Sequence, residues 1–450
     1  MHQPRPNSRA SVFSVLFIAL AIAGVAPVAE AQNNPLATPD QRAFEEQALR
    51  ILGSQVVQQQ RTVIEKAFSE DPWYGTPEGR ATLASSVDEV LFSGVVGVLN
   101  ADPSHPKVQW VWAPGHSWFG LKVPGAKFLM PNVDNVFRII PVDSVAHYEI
   151  TAQPSGGNIP TQWTVQLIHS VATVAGSENI FSVLMDTDIR RQADGSFTLS
   201  IGPDSANGQP NHIQTVPGAG LLLIRDTIDR WEDESPYILG VRRIDGPAPT
   251  TADSEARLAE KAAELVRTEI PVVVKSKSNN FFKSPANTLA SPKVREGGRW
   301  GLSSAGHFKL ADDEALVLTL DPIGAKYLSI QLANAWLGSL DYIHHTASLN
   351  IPQAVPNANG SYTFVIATQD PGIQNWLDTT GLHEGSFFVR WQKLPQPLAG
   401  ADAAVREVKL IKLADLATAV PNELLRVAAE QRKKQLADRA AAYVRRFAER

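Results

Sequence analysis

Two histidines stand side by side at His344 and His345, just after Asp341-Tyr342, and Trp376, Asp378 and His383 follow further along. Imidazole titrates near neutrality, so His345 or His344 can take or give a proton in catalysis, and His383 is a third candidate of the same kind. A carboxylate such as Asp341 or Asp378 would hold the ring in one orientation, with Tyr342 as a donor. Trp336 and Trp376 would give flat walls for a ring or sugar face, and Asn350 and Arg390 complete the candidate substrate contacts. This points to metal-independent acid–base chemistry, a hydrolase or lyase acting on a small organic or sugar-like substrate. Residue by residue the plainer reading is structural: tryptophans in the core, aspartates capping turns, histidines on the surface or satisfied in the core.

Metal and cofactor chemistry is not expected. Adjacent histidines on a strand point to opposite faces, and no His-x-His or His-x-x-x-His spacing occurs. Only a three-segment site drawing on His169, His212 or His383 would serve. The absence of cysteine removes disulfides, thiolate nucleophiles, iron–sulfur clusters and cysteine zinc sites. Gly301–Gly306 is one residue too long for a nucleophile elbow, and Gly218-Ala219-Gly220 leads into a strand, so it is no phosphate loop. Asn359-Gly360-Ser361 reads as a hairpin turn before it reads as a glycosylation site. The aromatic line Trp110, Trp112, Trp118, Phe119 reads as buried strand residues before a binding platform.

The elements that must position these residues form an ordered series. Thr38-Pro39-Asp40-Gln41 and Thr76-Pro77-Glu78 are helix starts, and the apolar spacing between 38 and 101 predicts an antiparallel helical pair. From Lys107 to Ile244 the period changes to two, the pattern of short antiparallel strands. A helix is expected over Asp253–Thr268, then a polar stretch, Lys275–Glu296, and a second β region over 299–412. The tail, Asn422–Arg450, reads as a long amphipathic helix with Leu425, Ala429, Leu436, Ala440, Tyr443 and Phe447 inward. Its basic residues, Arg426, Arg432, Lys433, Lys434, Arg439, Arg445 and Arg446, are expected outward, where they permit contact with an anionic membrane. Glu423, Glu430, Asp438 and Glu449 dilute that charge and favour packing on its own chain or a twin.

The two β regions are copies of one unit. Thr164–Leu167 matches Ser329–Leu332, Gln192–Leu199 matches Asn357–Phe364, and Gly220–Arg225 matches Gly385–Arg390, all at one offset of 165 residues. Arg225 and Arg390 at equivalent strand ends point to a shared structural clamp. Asp194-Gly195 and Asn359-Gly360 are tight-turn dipeptides. What the copies do not share is the candidate chemistry: at this offset Trp336, Asp341, Tyr342, His344 and His345 face Val171, Gly176, Ser177, Asn179 and Ile180. The fold class is therefore mainly β: two tandem antiparallel β-sandwich or jelly-roll units with an N-terminal helical pair, a connecting helix and a long C-terminal helix. The divisions are 1–31 leader, 32–103 helical, 104–250 first unit, 251–298 linker, 299–412 second unit and 413–450 tail.

Ser339-Leu340-Asp341-Tyr342, His345, Ser348-Leu349-Asn350, Asp370-Pro371-Gly372, Asn375–Thr379 and Arg390-Trp391 make the second unit resemble a bacterial domain-of-unknown-function family, number twelve-fourteen. Asp134–Arg138 and Pro141-Val142-Asp143 make the first look like the companion half of the same proteins. The resemblance covers roughly 110–412 and implies a β-sandwich fold. It implies no activity.

Arg5 and Arg9, an apolar run over Ala10–Val28 and Ala29-Glu30-Ala31 form a secretory leader, so a periplasmic or secreted location is expected. The formal charge is −5, with no basic footprint for nucleic acid. A small-molecule or glycan-like ligand, no membrane span after leader removal and self-association through the tail helix are the expected partnerships. Non-catalytic ligand binding and an envelope scaffold are the alternatives to an enzyme. N-terminal sequencing of the exported protein should begin at Gln32; an intact Met1 on soluble protein would contradict export by cleavage.

Overall fold

The computed structural model describes residues 34–449 apart from 171–179, 250, 283, 296–300, 397, 399, 423 and 425. The leader, and most of the first-unit connection compared above with Trp336–His344, lie outside the described residues.

The N-terminal region is more than a helical pair. Helices α1 (Pro39–Leu52), α2 (Gln55–Gln58), α3 (Arg61–Ser69) and α4 (Pro77–Val98) pack with α5 (Glu255–Phe282). The expected first helix is interrupted at Gly53-Ser54, where the serine hydroxyl turns back onto Ile51 O at 2.6 Å. Thr38 and Thr76 cap α1 and α4 through the backbone N–H of Gln41 and Gly79. Gln41 does not close a capping box; its side chain donates to Trp110 O and accepts from Trp110 N–H, tying α1 to the first β unit. Helix α5 runs well past Thr268 and through Pro271, although proline removes one rung of the ladder. Burial of Ala259, Ala262, Ala263, Val266 and Ile270 outweighs that loss. A Cβ on Gly94 of α4 would stand 2.5 Å from Val266, so glycine sets the close approach of α4 to α5. Among the described residues α4 is long and apolar enough to cross a membrane. Val87, Val90, Leu91, Val95 and Val96 are buried in this helical layer, the signature of a core helix.

The first β region comprises β1 (Gln109–Val111), β2 (His116–Trp118), β3 (Leu121–Val123), β4 (Asn135–Pro141), β5 (Tyr148–Gln153) and β6 (Gln162–Ile168). It continues with β7 (Ile180–Met185), β8 (Phe197–Gly202), β9 (His212–Gln214), β10 (Leu221–Thr227) and β11 (Ile238–Arg243). The second comprises β12 (Thr288–Leu289), β13 (Lys293–Arg295), β14 (Gly301–Lys309), β15 (Glu314–Leu320) and β16 (Tyr327–Ala333). It continues with β17 (Ser348–Asn350), β18 (Tyr362–Ala367), β19 (Trp376–Asp378), β20 (Glu384–Gln392) and β21 (Val405–Lys412). In the first half the sheets run β1-β4-β10-β6-β7 and β11-β5-β8-β9; in the second β12-β14-β20-β16-β17 and β21-β15-β18-β19. From β4 and β14 onward the order is the same, including the parallel pairs β8/β9 and β18/β19. A shift of 165 carries β6 onto β16 and β8 onto β18 residue for residue. Arg225 and Arg390 hold the same partner in each copy, the side chains of Gln166 and Gln331. In the first half Tyr148, Ile150, Trp163, Val165, Phe197, Leu199, Leu222 and Ile224, from both sheets, meet in one apolar cluster.

The halves join through a buried carboxylate. Asp134, just before β4, accepts from Trp231 Nε1 at 2.8 Å, from the Tyr327 hydroxyl at 2.7 Å and from Asn350 Nδ2 at 3.2 Å. Asn350 also donates to Asp229 O at 2.8 Å. Burial pushes the Asp134 carboxyl above the usual carboxylate range, against these hydrogen bonds and the positive charge of Arg446.

The tail helix α7 (Ala429–Val444), which follows the single turn α6 (Leu416–Ala419), is shorter than expected and oriented differently. Arg432, Arg439 and Arg446 point into the protein, not outward. They do so because each finds acceptors and an aromatic face. Arg432 binds Asp370 and lies over Trp376; Arg439 donates to Tyr342 O, Gln353 and Ser348 and lies 4.3 Å over Trp231; Arg446 lies 4.4 Å over Tyr443. Phe447 stacks on His116 and Trp110, and Asn34 donates to Arg446 O and Ala448 O.

Within the first half Arg138 of β4 meets Asp226 of β10 at 2.5 Å, with almost no exposure of either. Asp226→Ala should therefore lower unfolding stability by about 3–5 kcal/mol, because it leaves a buried, unpaired guanidinium, and Arg138→Met with Asp226→Leu should recover most of that loss. Urea denaturation of the three proteins checks this.

Candidate functional site

His345 and Asp378 come together. The segment 341–345 is a turn, not a strand, so His344 and His345 are not held on opposite faces of a sheet. Asp378, the last residue of β19, donates its N–H to Thr346 O, which brings the strand end against the turn. Asp378 Oδ2 lies 2.8 Å from His345 Nδ1, and its Oδ1 accepts from Thr380 N–H at 2.7 Å. This carboxylate fixes the ring with Nδ1 protonated and leaves the Nε2 lone pair outward. Among the described residues no hydrogen bond reaches Nε2, and the His345 side chain is 41% exposed. Thr380 has φ 55 and Gly381 φ 84; for a β-branched residue the left-handed region is strained, and the β19 end holds it there. The hydroxyls of Thr346 and Thr379 are buried beside this pair without a hydrogen-bond partner.

The other candidates take separate places. His344 pairs with Asp341 at 2.9 Å on the surface. Burial alone would raise the Asp341 carboxyl, but the His344 backbone N–H and ring outweigh it and hold the carboxyl below its ordinary value. His383 bridges Asp312 at 2.8 Å and Glu78 of α4 at 3.2 Å, so it straps the helical layer to the second unit. Trp336 is 1% exposed, stacks on Phe68 at 4.5 Å and donates to Gly79 O. It is core and offers no face to a ligand. Tyr342 is buried with its hydroxyl on Tyr443 at 3.3 Å, and burial raises the phenol well above its ordinary value. Trp376 is buried with its N–H on Ala367 O, and Asn350 belongs to the junction around Asp134. Arg390, half-buried, is spent on Gln331 and Met130 O. The aromatic walls expected around the histidines are thus parts of the fold. Among the described residues no group of three histidines or carboxylates could hold a metal ion.

Sequence reading missed the tail arginines and a buried acid pair. Asp229 and Glu234 share the Thr161 hydroxyl at 2.7 and 2.8 Å. Burial first, then the neighbouring Asp229 charge, pushes Glu234 up to about 7. Their five-residue separation on an irregular connection gave no periodic signal.

The comparisons concern fold. A family model described as "Protein of unknown function (DUF1214)" matches residues 140–225. That stretch lies in the first unit, whereas the most specific resemblance was expected in the second. A crystal structure of an uncharacterised protein from Burkholderia cenocepacia is similar at 24% identity and a TM-score of 0.64, over 82% of this chain and 99% of that one. A protein from Vibrio parahaemolyticus is similar at 12% identity and a TM-score of 0.38, over 63% and 90%. No curated protein matches.

The doubly bonded imidazoles make stability depend on pH. In the first unit His147 lies 2.8 Å from both Asp204 and Asp245. Hydrogen bonds to Asp204 and Asp245 raise His147, and those to Asp312 and Glu78 raise His383. A histidine raised in the folded state stabilises fully below its unfolded pKa, about 6.5, and loses that contribution as pH rises through the folded value. The melting temperature should therefore climb as pH falls from about 8 to about 6, and less so in His147→Gln/His383→Gln. Thermal scans across that window measure the slope; an unchanged slope in the double variant would refute the assignment.

Proposed function

We propose that the chain is an exported protein whose second β unit carries a metal-independent acid–base site, His345 oriented by Asp378. The reaction class is hydrolysis or elimination on a small organic or sugar-like substrate. The observation that carries the reading is the 2.8 Å contact from Asp378 to His345 Nδ1 with Nε2 left open. That is the arrangement a general base needs before a substrate arrives. Two further features support it. The strained Thr380 sits two residues beyond Asp378, and such strain concentrates at functional sites. At the place of His345 the first unit has Ile180, and at the place of Asp378 in the equivalent parallel pairing it has Gln214, so the shared fold does not require a histidine–carboxylate pair here. The buried walls once assigned to the site limit the substrate to one approached from the turn side. Export rests on the leader-like first residues. The finer architecture, each half a sandwich of its two sheets, rests on the apolar clusters that draw side chains from both. Self-association through α7 would use its outward face, since its inward face is occupied by its own chain.

The test is a screen of aryl esters and aryl glycosides with wild type, His345→Ala and Asp378→Asn. Turnover should fall by about 10²–10⁴-fold in His345→Ala with the melting temperature nearly unchanged, since an acid–base group contributes that much to rate. Early unfolding of both variants, with no substrate found for the wild type, would return the pair to the fold.

A further inference from the structure

Away from His345, a groove of about 580 Å³ opens between the N-terminal ends of α1 and α5 and the chain from Asn100 to Gln109. Its volume is that of a small-molecule site. The apolar part of the lining includes Phe44 and Leu258. Around it stand two ion pairs, Lys107 with Asp40 at 2.7 Å and Lys261 with Asp253, and a histidine–carboxylate hydrogen bond, His105 with Asp102 at 2.8 Å. All three are at the surface, where such pairs contribute little and exchange partners readily. The Lys261 ammonium, which is the largest cause, keeps the Asp253 carboxyl below its ordinary value, so it stays charged at neutral pH. Gln109 adds an independent feature. It is 2% exposed, its Nε2 donates to Asp40 O at 3.3 Å, and its Oε1 receives no hydrogen bond. The Asp40 carbonyl fixes which way the amide points, so the unused atom is an acceptor. A buried acceptor without a donor is costly.

We infer that this groove binds a small zwitterion, a carboxylate and an ammonium carried on an apolar body, as in an apolar free amino acid. A simple anion would meet three carboxylates and a simple cation two lysines; only a dipolar ligand matches both sets. Its carboxylate goes to Lys107 and Lys261, where the positive ends of two long helices add to the attraction. Its ammonium goes to the carboxylates and to the acceptor side of Gln109, and its body lies against the half-buried Leu258. A sugar is a poorer match, because Phe44 is itself buried and gives no open ring for stacking. The site is independent of His345, and either can fail without the other.

Calorimetric titration of the full chain with L-leucine tests it, alongside leucine methyl ester, N-acetyl-leucine and glucose. Leucine should bind, and removing either charge should weaken binding by about tenfold or more. Lys107→Met/Lys261→Met should weaken leucine to a similar degree with the melting temperature preserved, and Asp102→Asn gives a second, single-site reading if that variant unfolds. His345→Ala should bind as the wild type does. No heat with leucine, equal binding of the capped analogues, tighter binding of glucose, or full affinity in the folded lysine variant would each overturn the assignment.

Discussion

Asp134 is the constraint on which the architecture turns. Its carboxylate is shut away from water at the junction of two β units, where an ion is tolerated only if its lone pairs are filled. The donors come from both sides: Trp231 from the first unit, Tyr327 and Asn350 from the second. Neither half can satisfy Asp134 alone. Separating them would strand a buried acceptor and uncover the phenol and indole that serve it. The relative placement of the halves is thus set by a few directional bonds in a low-dielectric interior, where geometry counts for more than area.

Duplication explains much of what surrounds this junction. The Arg225–Gln166 and Arg390–Gln331 bonds and the two turns at Gly195 and Gly360 are kept because every copy of the unit needs them. In both turns the residue before glycine accepts from a following serine, Asp194 from Ser196 and Asn359 from Ser361. Where only one copy bears a polar group, the fold alone does not account for it. His345 stands on that side of the division, opposite Ile180, and Asp378 brings a carboxylate where the first unit has the neutral amide of Gln214. Trp336 and Tyr342 look similar by this criterion, yet they were recruited to bury α3, α4 and α7 against the second unit.

The repeat was legible because strand alternation and turn chemistry are local and leave the same marks twice. His345 was legible for a related reason, a titratable residue where the sister unit has Ile180; which carboxylate meets it, Asp341 or Asp378, was not, since that depends on how β19 ends against the turn. Burial of Trp336, Tyr342, Trp376 and Asn350 was not legible, since it depends on which helix covers each strand end, a matter of contacts far apart in sequence. The tail misled most. A helix with three arginines at seven-residue spacing reads as charged outside. Only the structure supplies the aromatic rings and carbonyls that make the inward face the basic one. Propensity likewise argued for ending α5 near Pro271, and packing overrode it.

The position of Arg446 has a consequence for assembly in time. It follows Val133, whose carbonyl it reaches, by 313 residues. A chain emerging from the ribosome folds in order of appearance, early segments first. Until residue 446 has emerged the first unit carries Asp134 and Trp231 without the cationic segment that covers them. Both β units can form their own ladders in that interval, but the seam between them stays wet until Arg446, in the turn that follows α7, arrives. Closure of the seam therefore waits for the segment that bears Arg446, and a molecule halted before that segment would hold two formed units with their joint still open to water.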